Sequence, residues 1–227
     1  NIDKPNRPQE PLPPFDYQTE EVSFTNHQAN AVFSGTLTYP TGYSPEKHVP
    51  VVLMITGSGP QDRNEEVFGH KPFLVIADYL AKNGIASLRY DDRGVGQSTG
   101  NRTECTSKDY AEDAASGLQW LKESGKFGKI GVLGHSEGGM IAFMLAAEGK
   151  ADFAVSLAGP GIKGDTLLAE QQNAALRLHG LPANQTAQRV RDETKAQPEN
   201  IWLNYFINYD PAPTIARITI PVMALNG

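Results

Sequence analysis

The sequence has little cysteine, no excess of positive charge and no long apolar run. Its single cysteine, Cys105, excludes an internal disulfide and any Cys-x-x-Cys metal site, but fits either redox compartment, so localisation stays open. Lys and Arg number 20 against 26 Asp and Glu, a net charge of −6 that disfavours nucleic acid and anionic membranes as partners. The apolar stretch at residues 49–55 is far shorter than the roughly 20 residues that cross a bilayer. We therefore expect neither a nucleic-acid partner nor a membrane span.

Proline is concentrated at one end of the chain. Residues 1–15 contain five prolines and few apolar side chains, a composition that favours extended, polyproline-like backbone over packed structure. We predict a linker over residues 1–16 and a single domain over residues 17–227. Because the chain begins with Asn1 rather than Met, we treat this end as cut, which leaves room for a further module before the linker.

Strands and helices alternate through residues 17–227. Residues 22–24 and 32–39 show period-two alternation around a polar turn, as in an antiparallel hairpin. The unalternating apolar run at 51–55 is typical of a parallel strand covered on both faces. Further strands are predicted at 85–90, 129–134, 153–158 and 218–225, with apolar periodicity of helical spacing between most of them. This order predicts an α/β fold with a doubly wound, mainly parallel sheet.

The connection at residues 161–217 is much longer than a crossover requires. It contains helical patterns and an aromatic-rich stretch, and we predict a helical cap inserted over the carboxyl edge of the sheet. Trp202, Tyr205 and Phe206 would then either wall a pocket or pack the cap on the core, and packing is the expected role for most of them.

Residues 134–138, Gly-His-Ser-Glu-Gly, match the motif G-x-S-x-G at a predicted strand-to-helix junction. In that context Ser136 would sit on a sharp turn with its hydroxyl exposed, while the Glu137 backbone N–H at the helix start suits an oxyanion. The loop after an earlier strand supplies the second donor in such sites, which points to the Ser58 backbone N–H. The competing readings are a glycine-rich turn in a non-catalytic protein and a simple tight turn at residues 57–59.

Three segments together resemble one family. They are Gly-Ser-Gly-Pro-Gln-Asp-Arg-Asn-Glu at 57–65, Asp-Asp-Arg-Gly-Val-Gly-Gln-Ser at 91–98 and Gly-His-Ser-Glu-Gly-Gly at 134–139. Residues 17–227 are similar to the α/β-hydrolases, and more narrowly to bacterial esterases of the serine aminopeptidase-like branch. The resemblance implies serine-dependent acyl transfer to water, a small ester substrate, usually with a short acyl chain, and no cofactor. Thr56 stands where such hydrolases commonly have His, which leaves the backbone donor intact.

The segment at 91–98 lacks the spacing of a dinucleotide-binding or P-loop motif, and we interpret it as a structural turn with internal Asp–Arg pairing. No set of His, Cys, Asp and Glu has metal-ligand spacing, so no metal is expected. Asp62, Arg63 and Glu65 are either pocket-entrance residues or, by default, solvated loop charges.

The resemblance implies a triad in the order Ser, acid, His. Only His179 follows Ser136, and it lies in the predicted cap. We therefore expect the triad acid and His, with the C-terminal part of the domain, to be missing from this chain, and the chain alone to have little activity. His135 is interpreted as a buried structural residue, and His70 and His179 as surface or cap residues.

The leading hypothesis is a carboxylic ester hydrolase with Ser136 as nucleophile and the Ser58 and Glu137 N–H groups as oxyanion donors. The alternatives are a peptidase or thioesterase on the same machinery, or a non-catalytic α/β binding module with an unused serine. The sequence leaves the oligomeric state open.

Overall fold

The computed structural model describes residues 7–226, so residues 1–6 of the predicted linker lie outside the described part. The strands are β1 (Thr19–Asn26), β2 (Ala31–Thr38), β3 (Val51–Ile55), β4 (Ala86–Tyr90), β5 (Ile130–His135), β6 (Ala154–Leu157) and β7 (Val222–Leu225). The helices are α1 (Pro72–Lys82), α2 (Ser107–Ser124), α3 (Glu137–Ala147), α4 (Gly164–Leu178), α5 (Ala187–Lys195), α6 (Ile201–Asn208) and α7 (Ala212–Ile215), with a 3₁₀ turn at Pro45–Lys47.

The strands form one sheet in the order β1-β2-β4-β3-β5-β6-β7. β1 and β2 form the predicted hairpin, and β2 pairs antiparallel with β4. All pairs from β4 to β7 are parallel. The mainly parallel α/β sheet predicted from the sequence is confirmed, and the carboxyl ends of β4, β3 and β5 lie side by side at one edge, where α/β proteins bind ligands.

The position of β3 explains why its apolar residues do not alternate with polar ones. All five of its residues are buried. Leu53 belongs to the core on the α2 and α3 side of the sheet, and Met54 packs with Phe73 of α1 on the other side. Helices therefore cover both faces, and each face buries its own set of apolar side chains.

A local motif fixes the start of α2. Thr106 and Asp109 form a capping box, in which the Thr106 N–H donates to the Asp109 carboxylate at 2.8 Å. At the other end Gly125 has a φ of 64°, a left-handed conformation that costs glycine little. Local motifs therefore fix both ends of this helix.

The predicted cap segment, residues 161–217, contains α4, α5, α6 and α7. α4 packs against α5 and α6, while α6 also contacts α2 and α7 contacts α3. Its separation from the rest of the chain as a cap insertion stays a prediction. None of the helices in residues 7–226 is long and apolar enough to cross a membrane.

The last strand is shorter than the sequence predicts. The strand expected at 218–225 begins only at Val222, because Pro221 precedes it and Ile218 and Ile220 pack against the core instead. Residues 7–16 form no helix or strand, but Arg7 donates to the Phe68 carbonyl at 2.7 Å. This described part of the predicted linker is therefore attached to the loop before α1.

Candidate active site

Ser136 lies on a sharp turn between β5 and α3, as the G-x-S-x-G motif predicts. Its φ of 53° and ψ of −119° are rare for a residue with a side chain. Such a conformation costs about 1–3 kcal/mol and persists only where the surroundings impose it. A Cβ on Gly134 would overlap the Gly138 carbonyl, and a Cβ on Gly138 would overlap that of Ile55. The two glycines therefore let strand and helix approach closely enough to force the turn.

The loop at residues 57–65, here called the β3 loop, touches this turn directly. A Cβ on Gly57 would lie 3.2 Å from the Ser136 Cβ and 3.4 Å from the His135 carbonyl oxygen. Ser58 is the next residue and is exposed. Glu137 opens α3, so its N–H has no acceptor within the helix. Glu137 thus adjoins Ser136 in the chain, and Ser58 follows a glycine that packs against Ser136.

Asp92, just after β4, holds the start of the β3 loop. Its Oδ1 accepts from the Thr56 hydroxyl at 2.7 Å, and its Oδ2 accepts from the Gln61 N–H at 2.9 Å. Loss of water around the carboxyl raises the pKa of Asp92 to about 7. The carboxyl is therefore split between protonated and charged forms near neutral pH.

Asp91 holds the far part of the same loop. Its two oxygens accept from Arg63 Nε at 3.1 Å and Nη2 at 2.8 Å, and Arg63 Nη1 reaches Glu21. Both side chains of the Asp91–Arg63 pair are largely buried. Arg63 is therefore neither a solvated charge nor a pocket-entrance residue, but a bridge from the loop to β1 and β4.

The internal Asp–Arg pairing predicted for residues 91–98 is wrong. Arg93 pairs instead with Asp113 of α2, through Nη2–Oδ1 at 2.6 Å and Nε–Oδ2 at 2.9 Å. The turn is closed internally by other bonds, such as the Ser98 hydroxyl on the Asp91 carbonyl at 2.7 Å. The segment at 91–98 is a structural turn, but its charged side chains pair with residues of other elements.

Glu65 is buried, contrary to the default of a solvated loop charge. Its Oε1 accepts from the Gly57 N–H at 2.6 Å and lies 2.9 Å from His135 Nδ1. The interaction with Glu65 raises the pKa of His135. The prediction of a buried histidine is wrong, since the His135 side chain is 45% exposed. Its ring lies at the surface of the turn, and one edge of the ring contacts the buried Glu65 carboxylate.

Glu137 connects the turn to the cap segment through its side chain. Its Oε1 accepts from the Ser107 hydroxyl at 2.6 Å and from the Trp202 indole N–H at 2.9 Å. Trp202 also stacks on Phe206, which is buried in the core. The carboxylate of a residue adjoining Ser136 is thus hydrogen-bonded to α2 and α6 together.

A cavity of about 420 Å³ lies between the β3 loop and the cap segment. Its lining includes Pro60, Arg102, Cys105, Tyr110 and Trp202. This volume is in the range of small-molecule sites. Ser136 itself is not among the residues that line this cavity. A larger groove of about 560 Å³ between β1 and α2 is lined by residues of neither the turn at Ser136 nor the β3 loop.

The structure does not join any of the candidate histidines to Ser136, since in the described residues no histidine ring is hydrogen-bonded to it. His70 bonds Arg7, and His179 ends α4 on an exposed surface. Across residues 7–226, no three His, Cys, Asp or Glu side chains are grouped so that they could hold a metal ion.

Sequence reasoning named Glu65 but missed its bond to His135, and it missed the bond between Trp202 and Glu137. Each joins residues at least 65 positions apart in the chain, and no local pattern marks such a pair. The only available signal for Glu65 was the dense run of polar residues at 61–65, directly after a glycine loop.

Comparison with known proteins gives one family. Residues 71–223 match the family model described as serine aminopeptidase, S33. The chain is 32% identical over 204 residues to the esterase EstD of Thermotoga maritima, an alignment that covers 85% of this chain and 48% of that protein. The chain therefore spans about half the length of this curated relative.

Solved structures share the fold. The Pyrococcus furiosus esterase Pf2001 superposes with a TM-score of 0.66 at 20% identity, covering 92% of this chain and 70% of that one. The α/β-hydrolase GrgF of Penicillium sp. sh18 gives a TM-score of 0.61 at 18% identity, covering 92% and 90%. With this fold and the family match over two thirds of its length, the chain belongs to the serine aminopeptidase S33 family of α/β-hydrolases.

Proposed function

We propose that the protein is a serine hydrolase that cleaves carboxylic esters, with short acyl chains, through an acyl-enzyme on Ser136. The observation that supports it most strongly is the contact between the strained turn at Ser136 and the β3 loop at Gly57. Esterase EstD, a relative at 32% identity, supports the ester as the bond that is cleaved.

In the proposed reaction the Ser136 oxygen attacks the acyl carbon of the ester. The carbonyl oxygen becomes an oxyanion, which accepts from the backbone N–H groups of Ser58 and Glu137. The N-terminal dipole of α3 favours the same negative charge. The intermediate collapses with loss of the alcohol, which receives the proton that the base took from Ser136, and water then releases the acid from Ser136. A single oxyanion donor is worth about 10²–10³ in kcat.

The base that takes the Ser136 proton is proposed to be none of the five histidines of this chain. His135 bonds Glu65, His70 bonds Arg7 and His179 is exposed on the cap segment. In the full-length gene product, His70→Ala and His179→Ala should each keep activity within about threefold, as surface changes do. A loss of about 10⁴-fold in either variant would identify that histidine as the base and overturn this part of the proposal.

Labelling with a fluorophosphonate tests the nucleophile. The full-length gene product should be labelled at Ser136, and Ser136→Ala should abolish both labelling and ester hydrolysis. Ser116→Ala is the matched control, because Ser116 lies on α2 in the groove beside β1 and should label as the wild type does. A folded wild-type protein without label at Ser136 would support the binding-module alternative instead.

The family match makes peptide hydrolysis the second candidate, since the matched model is described as a serine aminopeptidase. Matched p-nitrophenyl esters, thioesters and aminoacyl p-nitroanilides of the same acyl group separate the candidates. We expect kcat/KM to be highest for the ester. A higher value for the aminoacyl amide would replace esterase by aminopeptidase without changing the role of Ser136.

A further inference from the structure

Glu65 combines deep burial with an unusual backbone. It is 3% exposed, and its φ of 52° lies in the left-handed region that disfavours residues with a side chain. Its Oε1 accepts the Gly57 N–H and also lies against His135 Nδ1. One buried oxygen therefore joins the residue before the proposed donor Ser58 to the residue before the proposed nucleophile Ser136.

The backbone around Glu65 is fixed on both sides. The Glu65 N–H donates to the Asp62 carbonyl at 2.9 Å, and the neighbouring Asn64 carbonyl accepts from the Phe73 N–H at 3.2 Å. The Asn64 side chain also accepts from Arg89 of β4. Because α1 and β4 hold this segment, the carboxylate has little freedom to follow a displaced Gly57.

We propose that Glu65 is a positioning residue that sets the separation between the Ser58 N–H and Ser136, acting through Gly57 on one side and His135 on the other. The inference rests on the proposed acyl transfer at Ser136. In this proposal Glu65 does not contact the substrate. Its effect is on the transition state, where the oxyanion forms, rather than on substrate binding.

The packing explains how one hydrogen bond can have this effect. Gly57 is so close to Ser136 that even a Cβ placed there would lie 3.2 Å from the serine Cβ. Removal of Glu65 leaves the Gly57 N–H without its acceptor and releases the His135 ring. A displacement of about 1 Å at a reacting group can cost about 100-fold in rate. We therefore expect that removal of Glu65 lowers kcat by less than removal of an oxyanion donor would.

The test compares three variants of the full-length gene product on a p-nitrophenyl ester. Glu65→Ala should lower kcat by about 10- to 100-fold with KM nearly unchanged, which is the pattern for an interaction made in the transition state. Glu65→Gln keeps an acceptor oxygen at the same place and should restore kcat to within about threefold. Glu66→Ala is the matched control, because Glu66 is the next residue, is exposed and should leave kcat unchanged.

A second measurement separates positioning from a purely structural role. A trifluoromethyl ketone that adds to Ser136 places an oxyanion in the proposed hole, whereas the product acid binds without one. Glu65→Ala should weaken the ketone by the same factor as kcat/KM and leave the affinity for the product acid unchanged. Kinetics are normalised to the folded fraction measured by circular dichroism.

The outcomes are distinguishable from failure of the proposed function. Activity that survives in Ser136→Ala overturns the nucleophile, and with it the basis of this inference. Activity that is lost in Ser136→Ala but kept in Glu65→Ala overturns the positioning role alone, as does equal weakening of the ketone and the product acid. If Glu65→Ala does not fold, Glu65→Asp, which withdraws the oxygen by one methylene, should still lower kcat, and an unchanged kcat would overturn the proposal.

Discussion

The β3 loop and the cap segment face each other across the 420 Å³ cavity, and they are held in opposite ways. The loop is hydrogen-bonded to the two residues that directly follow β4, because its Gln61 N–H donates to Asp92 and its Arg63 side chain donates to Asp91. Most hydrogen bonds of the cap segment stay within it, such as the pair between Arg191 and Asp165. In the described residues, the cap segment is hydrogen-bonded to Glu137 through the indole N–H of Trp202.

The difference fits the separate demands of chemistry and specificity. Donors that stabilise a developing charge act best when they are fixed before the reaction. A wall that accommodates different substrates benefits from movement, and segments with few bonds to the core open at lower free-energy cost. We expect changes in the β3 loop to affect kcat, and changes in the cap segment to affect KM and substrate preference.

The largest effect is expected from Asp91→Ala. The change leaves Arg63 largely buried without its main carboxylate partner, which should cost about 3 kcal/mol of unfolding free energy and most of the activity. Urea denaturation measures the stability. Glu148→Ala breaks an exposed pair with Lys150 and should change it by less than about 0.5 kcal/mol. Equal stability of the two variants would contradict the role of the Asp91–Arg63 pair in holding the β3 loop.

Asp92→Asn should change how stability depends on pH. Burial raises the folded-state pKa of Asp92 from 3.8 to about 7. Between these values the folded protein binds more protons than the unfolded chain, so this group makes stability fall as pH rises, by up to about 1.4 kcal/mol per pH unit. The asparagine variant should lose that contribution, while Thr56 and Gln61 keep partners. Unfolding curves from pH 4 to 8 that have the same slope in both proteins would refute it.

Trp202→Phe tests the connection between the cap segment and the core. It removes the indole N–H from Glu137 and should cost about 1 kcal/mol, with KM raised about fivefold and kcat little changed. Tyr209→Phe is the control, because the Tyr209 hydroxyl bonds Thr214 within the cap segment. Steady-state kinetics over a series of acyl chain lengths measures the change. A fall in kcat with KM unchanged would mean that Trp202, like the β3 loop, affects the chemical step rather than substrate binding.

The smallest effect is expected from Lys195→Ala at the outer surface of the cap segment. Lys195 lies 3.3 Å from Asp192 on α5, and both side chains are mostly exposed. Exposed pairs contribute little because solvent screens them. Neither KM nor the melting temperature should change measurably. A melting shift beyond about 2 °C would mean that α5 is more firmly held than its contacts indicate.

The parts of the molecule that local sequence determines were predictable. β3, the turn at Ser136 and the capping box at Thr106 each depend on apolar spacing, glycine positions or a four-residue motif. The partners of Glu65 and Arg63 were not predictable, because they depend on which strands lie side by side. A charged residue in a loop is solvated by default, and only the finished sheet shows that these two are not.

Cys105 gives the cavity a chemical reporter. It is the single thiol of the chain and is 6% exposed, it lines the cavity together with Trp202, and burial raises its pKa. A thiol in that state is alkylated slowly, and at a rate set by how often the wall opens. Without any engineered label, the alkylation rate of the native protein therefore measures opening of the cavity, and protection by an added ester or inhibitor identifies the molecules that enter it.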